Sequence, residues 1–96
     1  MPIKVTLNCQ LNAEKTDELI IFLQQNLPNV RNFHGNKRVE IFFDRAKQEM
    51  LIDEDWKSVE DHQKYIKYIT DNGIMANLIS YFLEPPSVKY FNYQDL

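Results

Sequence analysis

The chain has 96 residues, 44% of them hydrophobic and 26% charged, with a formal net charge of −3. Those proportions lie inside the ordinary globular range and outside the disordered one, and a chain of this size holds one modest core, so a single domain over residues 1–96 is expected. There is no run of eighteen apolar residues and no basic-then-apolar leader, and the basic clusters are short (Arg31 with Lys37 and Arg38), so neither a membrane nor a nucleic-acid partner is expected.

Ile3, Val5, Leu7 and Cys9 alternate with Lys4, Thr6, Asn8 and Gln10, a period of two that predicts a strand with one buried face. Cys9 is the single cysteine, which rules out an intrachain disulfide and a cysteine-based metal cage. It suits a reducing compartment, so a cytoplasmic location is expected. From about Ala13 to Asn26 the period becomes helical, with Leu19, Ile20, Leu23 and Leu27 on one stripe, Asn12 as N-cap and Pro28 forcing the exit.

The polar stretch from Asn29 to Lys37 carries Gly35 and precedes two strands, Arg38 to Asp44 and Glu49 to Trp56, joined by a turn over Arg45 to Gln48. Ser58 and Asp61 resemble a capping box, and Val59, His62, Ile66 and Ile69 line one face of a second helix that Asn72 and Gly73 close. Met75, Leu78, Ile79, Phe82 and Leu83 predict a third, shorter helix stopped by Pro85 and Pro86, and Val88 to Tyr93 predicts a last strand.

The order β-α-β-β-α-(α)-β predicts an α+β fold of the ferredoxin-like kind, a four-stranded antiparallel sheet with helices on one face. Phe42 beside Phe43, Leu51 beside Ile52 and Tyr90 beside Phe91 give both faces of the sheet large apolar groups. An apolar face left bare on a monomer marks an interface, so a homodimer packed sheet to sheet is expected. The alternative is that the last strand or a loop curls over that face.

The segment Ile52 to Ile66, IDEDWKSVEDHQKYI, with its acidic strand end, tryptophan, polar capping turn and amphipathic helix, resembles the antibiotic biosynthesis monooxygenase family. With the matching element order, the likeness covers nearly the whole chain. It implies a dimeric α/β barrel with a pocket in each protomer between sheet and helices. It also implies cofactor-free oxygenation of phenolic or quinol substrates or, in one branch, haem degradation. The haem-degrading branch carries an asparagine, a tryptophan and an axial histidine at positions that fall here on Leu7 (Asn8 being one residue off), Tyr65 and Met75. Haem is therefore not expected, and no cofactor or metal is expected.

Met50, Ile52, Glu54 and Trp56 share a strand face by period two. If that face lines the pocket, Glu54 is a carboxylate in apolar company and a candidate general base; otherwise it is a solvated acid beside Asp53 and Asp55. His62, on the apolar stripe of the second helix, is the other candidate catalytic group or a satisfied core histidine. Trp56 and Tyr65 are the candidate substrate-binding residues, their bland alternatives being packing and a helix-surface position. Asp53, Glu54 and Asp55 alternate between faces and make no convergent metal cage. The expected function is a cofactor-independent monooxygenase of a small electron-rich aromatic, a quinol or phenol; the alternative is a non-enzymatic dimer that binds a small ligand in the same pocket.

Overall fold

The computed structural model describes residues 2–96. Four strands, β1 (Ile3–Gln10), β2 (Asn36–Phe43), β3 (Glu49–Trp56) and β4 (Ser87–Asn92), alternate with helices α1 (Thr16–Arg31), α2 (Val59–Asp71) and α3 (Ile74–Ile79). The strands form one antiparallel sheet in the order β2-β3-β1-β4. This is the ferredoxin-like arrangement, with all three helices on one face. Among the described residues no helix is long and apolar enough to cross a membrane.

Period two decides which side chains meet the helices. Val5, Leu7 and Cys9 of β1 and Met50, Ile52 and Trp56 of β3 are buried in one core with Leu19, Phe22, Leu23 and Val30 of α1. Burial of side chains this large stabilises by roughly 1.5–3 kcal/mol each, which is what fixes the register.

Three local expectations are corrected. The first helix does not leave at Pro28: a 3-10 turn over Ala13–Lys15 takes the Asn12 cap, and α1 then runs through Pro28 to Arg31. Proline removes one helical donor, but Gln24, whose carbonyl it leaves free, is exposed, so water satisfies that carbonyl. Beyond Pro28, Val30 is buried and Arg31 donates to the Val39 carbonyl at 2.8 Å, so tertiary contacts hold the last turn.

The third helix stops at Ile79, before either proline. Leu11 and Phe82 form an isolated bridge and Leu83 N–H donates to the Gln10 carbonyl at 2.8 Å, so the end of β1 captures this segment as extended chain.

The third correction concerns the open face of the sheet. Phe42 and Phe91 are exposed there at 51% and 47%, but between them lies an ion cluster in which Lys4 bonds Asp53 at 2.8 Å and Arg38 bonds Asp55 at 2.8 Å and Asp53 at 3.1 Å. The face is mixed rather than uniformly apolar, because the residues alternating with the core in β1, β2 and β3 are mostly charged. The opposite face of β4 is not fully covered either, since α1 and α2 leave Val88 and Tyr90 partly exposed.

One corner sets the position of α2. Gly35 has φ +89, and its carbonyl accepts from Lys57 N–H at 2.7 Å. A Cβ at Gly35 would stand 2.5 Å from Asp61 Oδ2, so only glycine lets the loop lie this close to the first turn of α2. The Ser58 hydroxyl caps that turn by accepting from Asp61 N–H at 3.1 Å.

Candidate functional site

The register aligns Tyr90, Val5, Glu54 and Val39 in one row across all four strands on the helix-facing side. In the next row Ile3 and Trp56 pair, so Trp56 follows Glu54 along the same face. α2 crosses above these rows, starting from Ser58, and its first two turns bring His62 and Tyr65 over the sheet.

Glu54 is 5% exposed. It lines a cavity of about 50 Å³ between the sheet and the helices, whose walls include Leu7, Val39 and Ile52 from the sheet, Leu23 from α1, Tyr65 and Ile69 from α2, and Met75 from α3. Burial in this apolar setting pushes the Glu54 carboxyl up to about 7. Trp56 opposes the shift by donating its Nε1–H to Glu54 Oε1 at 2.5 Å, and the neighbouring Asp53 adds to it. Asp53 and Asp55 themselves point to the open face and are paired there. Near neutrality Glu54 is therefore close to half protonated, able to take or give a proton.

His62 is 1% exposed and does not line the cavity. Its Nδ1 lies 2.8 Å from Tyr90 Oη, and its Nε2 lies 4.0 Å from Glu54 Oε1 and has no hydrogen-bond partner. Burial pushes the imidazole down to about 4, so at neutral pH it is uncharged and the Glu54 contact is not an ion pair. Trp56 is fully buried behind Glu54, edge-on to His62 at a centroid distance of 5.4 Å and tilted on Tyr65 at 5.5 Å. Tyr65 forms part of the cavity wall, and burial raises its phenol well above the ordinary value, as does the nearby Glu54 carboxylate.

The four residues singled out in the sequence thus lie together, in two layers: Glu54 and Tyr65 at the cavity, Trp56 and His62 behind them. Sequence reasoning missed Tyr90, whose ring meets His62 edge-on at 5.4 Å, and Phe33, which packs on Trp56 and Tyr65. The signal for Tyr90 was its place in β4 opposite Val5, which becomes visible once the strand register is known. His34 stays exposed, and Cys9 is buried, its thiol pushed up to about 12 by desolvation and by Glu49. Among the described residues no three His, Cys, Asp or Glu side chains are placed to share a metal ion.

Trp56→Phe is expected to raise the Glu54 midpoint above about 7, because an aromatic ring still occupies the site while the indole N–H, the one hydrogen-bond donor to the carboxylate among the described residues, is lost. Carbon-13 NMR of the labelled carboxyl measures this, and an unchanged or lowered midpoint would show that the indole N–H does not set it.

No protein-family profile and no curated protein sequence matches the chain. Solved structures do. A conserved protein from Methanosarcina mazei superposes with a TM-score of 0.87 at 14% identity, over 98% of this chain and 94% of the other. A Bordetella bronchiseptica protein assigned to the antibiotic biosynthesis monooxygenases gives 0.82 at 20% identity, over 99% and 98%. A monooxygenase of Streptomyces coelicolor, solved in complex with nanaomycin D, gives 0.81 at 9% identity, over 99% and 89%. At these identities the likeness is one of fold, and it extends the resemblance of Ile52 to Ile66 to the backbone of the whole chain.

Proposed function

From the antibiotic biosynthesis monooxygenase fold that this chain has, we propose that it is a cofactor-independent oxygenase of a small electron-rich aromatic, a quinol or phenol, acting as a homodimer. The observation that carries this reading is Glu54, a carboxyl held near pH 7 at the wall of an apolar cavity. A base so tuned removes a phenolic proton at neutral pH, and apolar walls keep water from the resulting anion.

The anion passes an electron to dioxygen, and the two radicals combine as a carbon-bound peroxide. Glu54 returns its proton to the peroxide, which loses water to leave the carbonyl product. Tyr65, whose phenol stays protonated, donates a hydrogen bond that orients the substrate oxygen. Trp56 holds the Glu54 carboxyl in place, and His62 is a second proton acceptor behind it. The likeness to a monooxygenase solved with nanaomycin D supports the reaction class.

Oxygen uptake on mixing the protein with a panel of quinols tests the proposal. Uptake that saturates with quinol is expected; binding of quinols without oxygen consumption would replace it with the ligand-binding reading.

The dimer is supported by the exposed Phe42 and Phe91 on the open face and by the ion cluster between them, which presents both signs of charge to a two-fold copy of itself. Sedimentation at micromolar concentration should give about twice the 11.5 kDa chain mass, and a mass near one chain would overturn it.

A further inference from the structure

A base enclosed among apolar walls has a problem that its own position does not solve. Before it can accept a substrate proton Glu54 must lose its own to solvent, and it is almost wholly buried. We propose that His62 and Tyr90 form a proton path connecting the Glu54 carboxyl to solvent, running from Glu54 Oε1 to His62 Nε2, through the imidazole to Nδ1, and on to Tyr90 Oη. The path itself is read from geometry, and its use in turnover rests on the reading of Glu54 as the base.

The order of groups supports it. Tyr90 lies in the same cross-strand row as Glu54, two strands away, with only Val5 between them. A valine carries no proton, so the two oxygens connect only over the top of the row, and His62 on α2 occupies that place. Its Nδ1 is in hydrogen-bond contact with Tyr90 Oη at 2.8 Å, and its Nε2 faces Glu54 Oε1 at 4.0 Å. Tyr90 is 43% exposed, so the side chain at the end of the path stands at the protein surface. The second contact is about 1 Å longer than a hydrogen bond, and catalytic contacts are commonly loose without substrate.

The alternative is a purely structural histidine, and one atom argues against it. His62 Nε2 is buried with no hydrogen-bond partner, a costly state that a core imidazole kept for packing alone would avoid. Left facing a carboxyl, the atom is positioned to exchange a proton with it. Among the described residues no other titrating group offers a route. Asp53 and Asp55 on the same strand point to the opposite face, α1 brings only the neutral Asn26 to the cavity, and Tyr65 of α2 lies on the cavity wall.

The transfer balances without accumulating charge. Protonated Glu54 gives its proton to Nε2, the proton on Nδ1 passes to Tyr90 Oη, and the original hydroxyl proton of Tyr90 leaves to water. One proton exits, no electrons move, and the imidazole ends as the other neutral tautomer. The reverse sequence reloads it. A neutral relay of this kind is consistent with burial, which disfavours the imidazolium.

The test needs no substrate. In the free wild-type protein, labelled with carbon-13 at glutamate carboxyls, the Glu54 signal should move through its midpoint as one sharp, exchange-averaged line. In Tyr90→Phe and in His62→Phe it should broaden or split at each variant's own midpoint, as proton exchange slows on the order of 10-fold or more. Tyr90→Phe keeps the half-exposed ring and leaves the core untouched, so the experiment survives if His62→Phe fails to fold. Lines as sharp as wild type in Tyr90→Phe overturn the role of Tyr90, and sharp lines in both variants overturn the path. Oxygen uptake with the quinol panel separates the two readings. Broadened lines with no uptake by wild type uphold the path and reject the oxygenase, whereas uptake with sharp lines in the variants does the reverse.

Discussion

Glu54→Gln should lower the rate of quinol-dependent oxygen uptake by 10²- to 10⁴-fold, the range over which a general base contributes, with little change in the quinol concentration at half-maximal rate. The substitution keeps the side-chain volume and an oxygen to accept from Trp56 Nε1–H, so the cavity keeps its shape. It removes the one carboxyl whose proton affinity burial has brought to about 7. Rates measured from pH 5 to 9 give a second reading. Wild type should gain activity with rising pH as Glu54 ionises, and the residual activity of the glutamine variant should lose that rise. A Glu54→Gln protein that turns over at more than a tenth of the wild-type rate would remove Glu54 from the role of base.

The same variant should uncover a pH dependence of stability that two opposing groups offset in wild type. Burial raises Glu54 from 4.5 to about 7, so the folded state binds its proton more tightly than the unfolded state does. The associated stability is fully present below pH 4.5 and is lost as pH rises through 7, by roughly 3 kcal/mol. His62 runs the other way. Its folded value, lowered from 6.5 to about 4, makes its contribution fully present above 6.5 and lost as pH falls through 4, by a similar amount.

Between pH 4.5 and 6.5 the two slopes oppose each other in wild type. In Glu54→Gln only the His62 slope remains, so the melting temperature relative to wild type should fall on acidification, by about 10 °C or more at the expected energy. In His62→Gln only the Glu54 slope remains, and the melting temperature relative to wild type should fall as pH rises from 4.5 to 6.5. Thermal melts across that window check both. Profiles parallel to wild type in either variant would mean that the corresponding group is not titrating inside the fold.

Much of this architecture was legible because a strand with one buried face writes its register into its alternation. Val5, Leu7 and Cys9 in β1 and Met50, Ile52 and Trp56 in β3 are the core, as their period of two requires. The Ser58 cap and the stripe containing His62 likewise place α2. Where tertiary contacts outweigh local chemistry the pattern misleads. Pro28 reads as a helix end, yet buried Val30 and bonded Arg31 carry α1 past it. Leu83 has helical spacing but hydrogen-bonds to the end of β1.

The neighbourhood of Glu54, Trp56, His62 and Tyr65 could be read because a single strand and the helix after it supply all four. Their division into a cavity layer and a layer behind could not be read, since it depends on how far α2 tilts over the sheet. Tyr90 contacts His62 at a separation of 28 positions through the pairing of β4 with β1, and no local pattern announces a contact of that separation.

The size of the cavity has a kinetic consequence. Its 50 Å³ accommodates one or two water molecules, whereas an apolar cavity that takes up benzene measures about 150 Å³. An aromatic ring therefore enters only when a wall retreats. One candidate wall is α3, six residues long, joined to α2 through Asn72 and a Gly73 with φ +87 and open space around it, and contributing Ile74, Met75 and Leu78 to the lining. In the proposed oxygenase, passage into and out of the site is then expected to depend on the swing of one short helix, and a turnover limited by that swing should follow the viscosity of the medium rather than the oxidation potential of the ring it admits.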